Sequence, residues 1–286
     1  TGALGTGRTF LKRGICCVRE NRDKARQFVK KSLLLEKLRG GEVANCIKLN
    51  VSGQSAFEIA ALSGVDSIWV CREHVGGDWE AVERQSVVAK LYQCDLIVRV
   101  EKGSYSDYVK PLELDATGIM VPHVKSAAEA RQIVQNTRFH PIGLRAWDGG
   151  NADGKYGQLS AREYMDYSNT EKMIILQIED PEAVEDIDEI CSVEGFDMVF
   201  FGPGDLSQAY GVPGELTHPR VREARKRVVE SARKHGKFAG TVTTPEMLSE
   251  CLADGYQYVN IGADVCALAG AYAQMLTAFR TAVNGR

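Results

Sequence analysis

A chain of 286 residues, 44% hydrophobic and 26% charged, is made like an ordinary globular protein and is long enough for one large α/β barrel or two average domains. Its net charge of −3 removes any electrostatic case for nucleic acid or an anionic membrane as partner, and no uncharged stretch approaches the roughly 18 residues of a membrane span. The eight cysteines form no Cys-x-x-Cys pair and no Cys/His cluster with zinc spacing, so buried free thiols in a reducing cytoplasm are expected rather than disulfides.

The chain opens at Thr1 without a methionine, as a processed or trimmed form would. Its first segment is basic: Arg8, Lys12, Arg13, Arg19, Arg22, Lys24, Arg26, Lys30 and Lys31 stand against Glu20 and Asp23. Residues 1–28 read as a solvated extension or a peripheral helix, with an organelle-targeting leader as the alternative that the scarcity of Ser disfavours. Residues 29–286 read as a single domain.

From Cys46 onward, short β-branched runs alternate with amphipathic stretches. The runs Cys46–Asn50, Ser67–Cys71, Leu96–Val100, Gly118–Val121, Met173–Glu179, Met198–Gly202, Phe238–Val242 and Tyr258–Ile261 predict eight strands. Helices are predicted over Ala56–Leu62, Glu80–Tyr92, Ala127–Gln135, Ala183–Ile190, Val221–Lys234 and Pro245–Ala253. Eight strands with intervening helices predict an α/β fold of the (β/α)8 TIM barrel type. An open doubly wound sheet is the alternative, but no Gly-x-Gly-x-x-Gly follows a strand and no P-loop is present.

Two segments break the alternation. Leu144–Thr170, with Asp148, Gly149, Gly150, Asn151, Asp153 and Gly154, reads as a long loop, and long loops in compact barrels are often functional. Val265–Val283, rich in Ala, Leu and Met, predicts a long apolar C-terminal helix suited to burial in a neighbouring subunit or against its own barrel wall.

Strand placement gathers scattered polar residues on the C-terminal rim, where barrel enzymes keep their active sites. His74 follows the second strand, Arg99 ends the third, Glu179 ends the fifth and Asp205 follows the sixth. Two carboxylates with water and a bidentate 2-oxo acid would complete an octahedral shell around Mg2+, Mn2+ or Co2+. The permanent charge of Arg99 suits an enolate oxygen, and a histidine near neutral pKa suits the proton transfer that makes or breaks an aldol alcohol. The amides of Gly204 and Asp205, at the start of a helical turn, could hold a substrate carboxylate. The bland alternatives are a surface or salt-bridged Glu179, a structurally paired Arg99 and a helix-capping His74. The remaining histidines read as structural, although His123 follows a strand and could face the site. A Schiff-base route needs a lysine deep on a strand; Lys48 is the one serious candidate, since Lys172 and Lys237 stand at strand beginnings.

Taken in order, Glu73-His74, Val98-Arg99, Gly118-Ile119-Met120-Val121-Pro122, Pro141-Ile142-Gly143-Leu144-Arg145, Gln177-Ile178-Glu179 and Gly202-Pro203-Gly204-Asp205-Leu206-Ser207 resemble the HpcH/HpaI aldolase family, the metal-dependent class II pyruvate aldolases. The resemblance implies a hexamer built from two trimers with the last helix exchanged between neighbours. It implies Glu179 and Asp205 as ligands of a divalent metal ion, Arg99 as the group stabilising a pyruvate enolate and His74 as acid/base. Gln177 and the amides of Gly204 and Asp205 would contact the 2-oxo acid. The implied activity is that of a lyase cleaving a 4-hydroxy-2-oxo acid to pyruvate and an aldehyde.

The chain departs from the family pattern near the histidine. Cys71-Arg72-Glu73-His74-Val75-Gly76 stands where Asp-x-Glu-His-Gly-Pro is common, and Arg145-Ala146 replaces Arg-Gly. Glu113 falls at the position of an aspartate that family members often place near the histidine. Decarboxylation of oxaloacetate or condensation of its enolate on the same site is therefore a second reading, and a catalytically silent binding barrel a third.

Overall fold

The computed structural model describes Lys24 and residues 26–285, so most of the predicted basic extension lies outside the described residues. Eight parallel strands close into a barrel in chain order: β1 (Ala44–Leu49), β2 (Ser67–Cys71), β3 (Asp95–Arg99), β4 (Gly118–Val121), β5 (Met173–Ile178), β6 (Met198–Phe201), β7 (Phe238–Val242) and β8 (Tyr258–Ala263), with β8 paired to β1. The (β/α)8 expectation holds, and closure excludes the open sheet. The helices are α1 (Leu33–Arg39), α2 (Gln54–Leu62), α3 (Trp79–Leu91), α4 (Tyr105–Glu113), α5 (Ala127–Thr137), α6 (Ala161–Glu171), α7 (Pro181–Glu185), α8 (Ile187–Ser192), α9 (Pro203–Ala209), α10 (Pro219–Lys234), α11 (Pro245–Asp254) and α12 (Asp264–Asn284).

Successive side chains on a strand point to opposite faces, so each strand serves two cores. Inside the barrel, Trp69 and Tyr258 meet Phe200 edge-on, with centroids 5.6 and 6.0 Å away, among Ile97, Met120, Ile175 and Met198. Gly240 makes room for them: a Cβ there would fall 2.7 Å from Phe200 Cδ2 and 2.9 Å from Tyr258 Cδ1. Residues of the other parity, such as Ile68, Val98, Ile119, Leu176 and Val199, pack under the helices.

At the N-terminal mouth, α1 adds Leu34, Leu35 and Leu38 to the barrel core and closes that end. Asp95, buried at the head of β3, holds the plug by accepting hydrogen bonds from Ser32 Oγ (2.7 Å), Leu34 N (2.8 Å) and Lys30 Nζ (3.1 Å).

Two expectations need correction. The helix predicted over Ala183–Ile190 is broken at Asp186, which lies between α7 and α8 and whose carboxylate accepts a hydrogen bond from the Ala127 amide at the start of α5 (3.0 Å). The stretch 144–170 is irregular only to Ser160, where a Ser160/Glu163 capping box starts α6. That loop packs along α4, outside the barrel wall. The Ala146 amide donates to Tyr105 Oη (2.9 Å), the Asp153 amide to the Glu113 carbonyl (3.4 Å), and buried Arg145 joins Asp153 and Tyr164 at 3.0 Å each.

The predicted C-terminal helix is present and none of its residues is buried; Leu268, Tyr272, Met275, Leu276 and Phe279 face solvent. Among the described residues no helix is long and apolar enough to cross a membrane. The six described cysteines are free, and all but Cys266 are buried.

Buried Asp115 is gripped by Lys90 (2.7 Å), Lys155 (2.7 Å) and Lys172 (2.6 Å). Burial alone would raise its pKa, but these ammonium groups overcome burial and hold the carboxyl far below the usual carboxylate range. A folded-state pKa below the unfolded value of about 3.9 makes the charged form stabilising at neutral pH, and the gain disappears as pH falls through the depressed value. The stability advantage of the wild type over Asp115→Asn, measured by urea unfolding, is expected to be full above about pH 5 and to shrink progressively below about pH 4.

Candidate active site

The inward positions at the C-terminal ends of β2, β3 and β5 are polar, unlike the layers beneath them. Arg99, 4% exposed, is the centre. Its Nε lies 3.0 Å from Glu73 Oε2 as an ion pair without hydrogen-bond alignment, its Nη2 donates to Cys71 Sγ (3.0 Å), and its Nη1 donates to Gln177 Oε1 (3.5 Å). The guanidinium carbon stands 4.8 Å from the Trp69 ring centroid, a cation–π contact.

Gln177 passes the connection on, donating through Nε2 to Glu179 Oε2. Glu179, 1% exposed, accepts a second bond at Oε1 from the His123 amide (3.0 Å). That amide is aimed by a left-handed backbone (φ 51°) immediately after Pro122, a conformation rarely taken by non-glycine residues. The His123 ring meets Asp180 through Nδ1 (3.0 Å) and comes within 3.6 Å of Glu73 through Nε2.

Burial pushes Glu179 up to about 7, against the His123 charge and amide and with a further push from Asp205. Burial opposes protonation of His123, but the carboxylates of Glu179, Asp180 and Glu73 hold its pKa above the usual value. A carboxylate this deep beside a second acid is stabilised by a bound cation, and two carboxylates form the oxygen-donor set of a hard divalent ion. Gly202 fits the same purpose: a Cβ there would lie 2.6 Å from Glu179 Oε2 and 2.8 Å from Glu179 Cβ, so only glycine leaves the carboxylate its place. Among the described residues no group of three or more His, Cys, Asp or Glu side chains is arranged to hold a metal ion, so water or substrate would complete a shell begun by Glu179 and Asp205. The residues fit a divalent cation.

Asp205 sits exposed in the first turn of α9, where the helix leaves the amides of Gly204 and Asp205 without acceptors of its own. His74 is also at the rim, its side chain 55% exposed, with Nε2 3.6 Å from Glu73 Oε2 and its amide donating to Cys71 Sγ (3.4 Å). Of the sequence-predicted set, His74, Arg99, Gln177, Glu179, Gly204 and Asp205 share this end of the barrel. Glu113 does not. It ends α4 at the opposite end, 4.0 Å from Arg145, where burial raises its pKa against the Arg145 charge. The helix between Arg99 and Glu113 carries it away from the rim of its own chain.

Glu73, Cys71, Asp180 and His123 hold the site together; sequence reasoning assigned the first three no role in it and placed His123 after a strand, where it could face the site. Their signal was adjacency, since each lies within three residues of a predicted rim residue or directly follows a strand and its Pro.

A closed barrel with a buried guanidinium, a buried carboxylate and a second acid at its C-terminal mouth defines a barrel enzyme equipped to stabilise an oxyanion beside a hard cation. The model of the HpcH/HpaI aldolase/citrate lyase family matches residues 49–271, and the chain belongs to that family. It is thus a class II aldolase, a carbon–carbon lyase. The 2-keto-3-deoxy-L-rhamnonate aldolase of Escherichia coli O17:K52:H18 (strain UMN026 / ExPEC) is 33% identical over 252 residues, covering 87% of this chain and 94% of that protein. Among solved structures, citrate synthase SbnG matches with a TM-score of 0.81 and 29% identity over 88% of this chain and 99% of its own. The HpcH/HpaI aldolase from Desulfitobacterium hafniense DCB-2 matches with a TM-score of 0.82 and 30% identity, covering 87% and 97%.

Gly202→Ala is expected to displace the Glu179 carboxylate at a stability cost of about 1–3 kcal/mol, the range for overpacking a filled site. Mn2+ titration by calorimetry should show affinity reduced at least about ten-fold, while urea unfolding shows a protein that still folds.

Proposed function

We propose that this enzyme cleaves a 4-hydroxy-2-oxo acid to pyruvate and an aldehyde, with Mg2+, Mn2+ or Co2+ held by Glu179 and Asp205. The observation that carries the reading is the buried chain from Arg99 through Gln177 to Glu179, which sets a permanent cation beside the acids. The bound ion would supply Lewis acidity to the 2-oxo group. Arg99 offers donors of fixed geometry to the ketone oxygen, which takes up negative charge as the C3–C4 bond breaks. The amides of Gly204 and Asp205, with Gln177, bind the acid end. His74 takes the proton of the 4-hydroxyl as the aldehyde carbonyl forms, Glu73 beside it stabilises the imidazolium, and that proton then goes to C3 to give pyruvate.

The exposure of His74 favours one second reading. Decarboxylating oxaloacetate uses the same enolate stabilisation and removes no hydroxyl proton, so it depends little on a histidine that stands in solvent.

Residues 29–286 would be the catalytic domain, working in the cytoplasm as a homo-hexamer of two trimers. Supporting exchange of α12 are its unburied apolar stripe and a cleft of about 330 Å³ lined by Ile47, Leu49, Ile59, Ala60, Ile261 and Ala267.

Pyruvate H/D exchange at C3 by the cation-loaded protein tests enolisation directly. Exchange is expected in the wild type and falls about 10–100-fold in Glu179→Gln and Asp205→Asn; a wild type that binds no divalent cation would favour the silent barrel. His74→Ala should lose aldol cleavage far more than decarboxylation, and equal loss of both would remove the second reading.

A further inference from the structure

A second charged cluster lies at the closed, N-terminal end of the barrel, away from the rim. Thr117 immediately precedes β4 and Lys172 immediately precedes β5, and both line a cavity of about 20 Å³. That volume admits one small occupant. Ser86 and Lys90 from α3, Asp115 from the turn after α4 and Glu171 from the end of α6 complete this part of its wall.

Ser86 is 1% exposed, and among the described residues its hydroxyl has no hydrogen-bond partner. At that depth an unpaired hydroxyl is costly unless the occupant of the cavity pairs with it. The ammonium groups also have hydrogens to spare. Lys172 donates to Asp115 Oδ1 (2.6 Å) and the Ala116 carbonyl (2.9 Å), and Lys155 to Asp115 Oδ2 (2.7 Å) and the Ala152 carbonyl (3.3 Å), so each keeps a third N–H. Lys90 meets only Asp115 Oδ2 (2.7 Å). The acids, by contrast, are taken: Asp115 by these three lysines, Glu171 by the Ser32 amide (3.0 Å) and Arg39 (3.5 Å). The cavity is rich in donors and short of acceptors.

Charge points the same way. Three ammonium groups share one carboxylate, and the side chains of Lys155 and Lys172 are only 11% and 3% exposed, so a surplus of positive charge is buried there. Lys30, also on the cavity wall, is matched by Asp95 and takes none of the surplus. A water would have to donate hydrogens as well as accept them, whereas a halide ion only accepts and brings the missing negative charge. We propose that this cavity is a binding site for a single monatomic anion, chloride, held by the Ser86 hydroxyl and the ammonium groups of Lys90 and Lys172. Through Lys155 on Asp115 the ion would also steady the loop before α6. The site stands apart from the 2-oxo acid reading and does not depend on it.

The test melts the full chain in sodium chloride and in sodium gluconate of equal ionic strength. Chloride should raise the melting temperature of the wild type by about 2–5 °C along a saturating curve, as one occupied site does. Ser86→Ala should shift the midpoint of that curve to about ten-fold higher chloride, the range of a hydrogen bond to a charged group, yet leave the melting temperature in gluconate unchanged because it removes no bond within the protein. Lys90→Met should weaken chloride by about ten-fold or more. In crystals of the wild type soaked in bromide, an anomalous peak is expected in contact with Ser86 Oγ. No gain from chloride over gluconate, a gain that Ser86→Ala leaves intact, or a crystal without anomalous signal in the cavity overturns the assignment and leaves a water there. A larger gain from sulfate or phosphate than from chloride overturns it too, since ions of that size need an open surface site.

Discussion

A guanidinium only 4% exposed must be met by acceptors, and the neighbourhood of Arg99 shows what that demands. Its partners come from three places: Cys71 at the end of β2, Glu73 just beyond it, and Gln177 on β5. The requirement propagates. Gln177 turns its carbonyl to Arg99 and so points its amide nitrogen at Glu179, while Glu179 draws in the backbone of His123. One buried positive charge thus fixes the directions of side chains on three strands, which is the preorganisation an oxyanion site needs.

The fold was legible because a barrel strand buried on both faces is a continuous apolar run, and eight such runs stood clear in the chain. What was hidden depended on side chains acting on backbone far away. Asp186 reads as an ordinary polar position in a helix until its bond to Ala127 is seen. The loop before α6 stands out by its glycines, whereas its deep anchors, Arg145 with Asp153 and Tyr164 and Lys155 on Asp115, appear only in the packing.

Within the site, residues at the ends of strands were readable because position on a rim is a matter of register. Glu73 was not, and His123 was readable only as a residue able to face the site, because their roles come from the loop path after the strand. The φ of 51° at His123 has no signature in the residue type. Glu113 is the converse case: likeness of pattern links it to His74, while within one chain α4 carries it to the other end of the barrel wall.

The plug formed by α1 has a kinetic consequence. With Leu34, Leu35 and Leu38 sealing the N-terminal mouth, the barrel is a tube with one open end. The groups that would hold the 2-oxo acid, Arg99, Gln177 and Glu179, are nearly sealed from solvent, whereas His74 stands at the entrance. On the proposed chemistry the molecule bound at the floor has to enter first and leave last, so turnover would follow a compulsory order with the aldehyde leaving before the pyruvate beneath it.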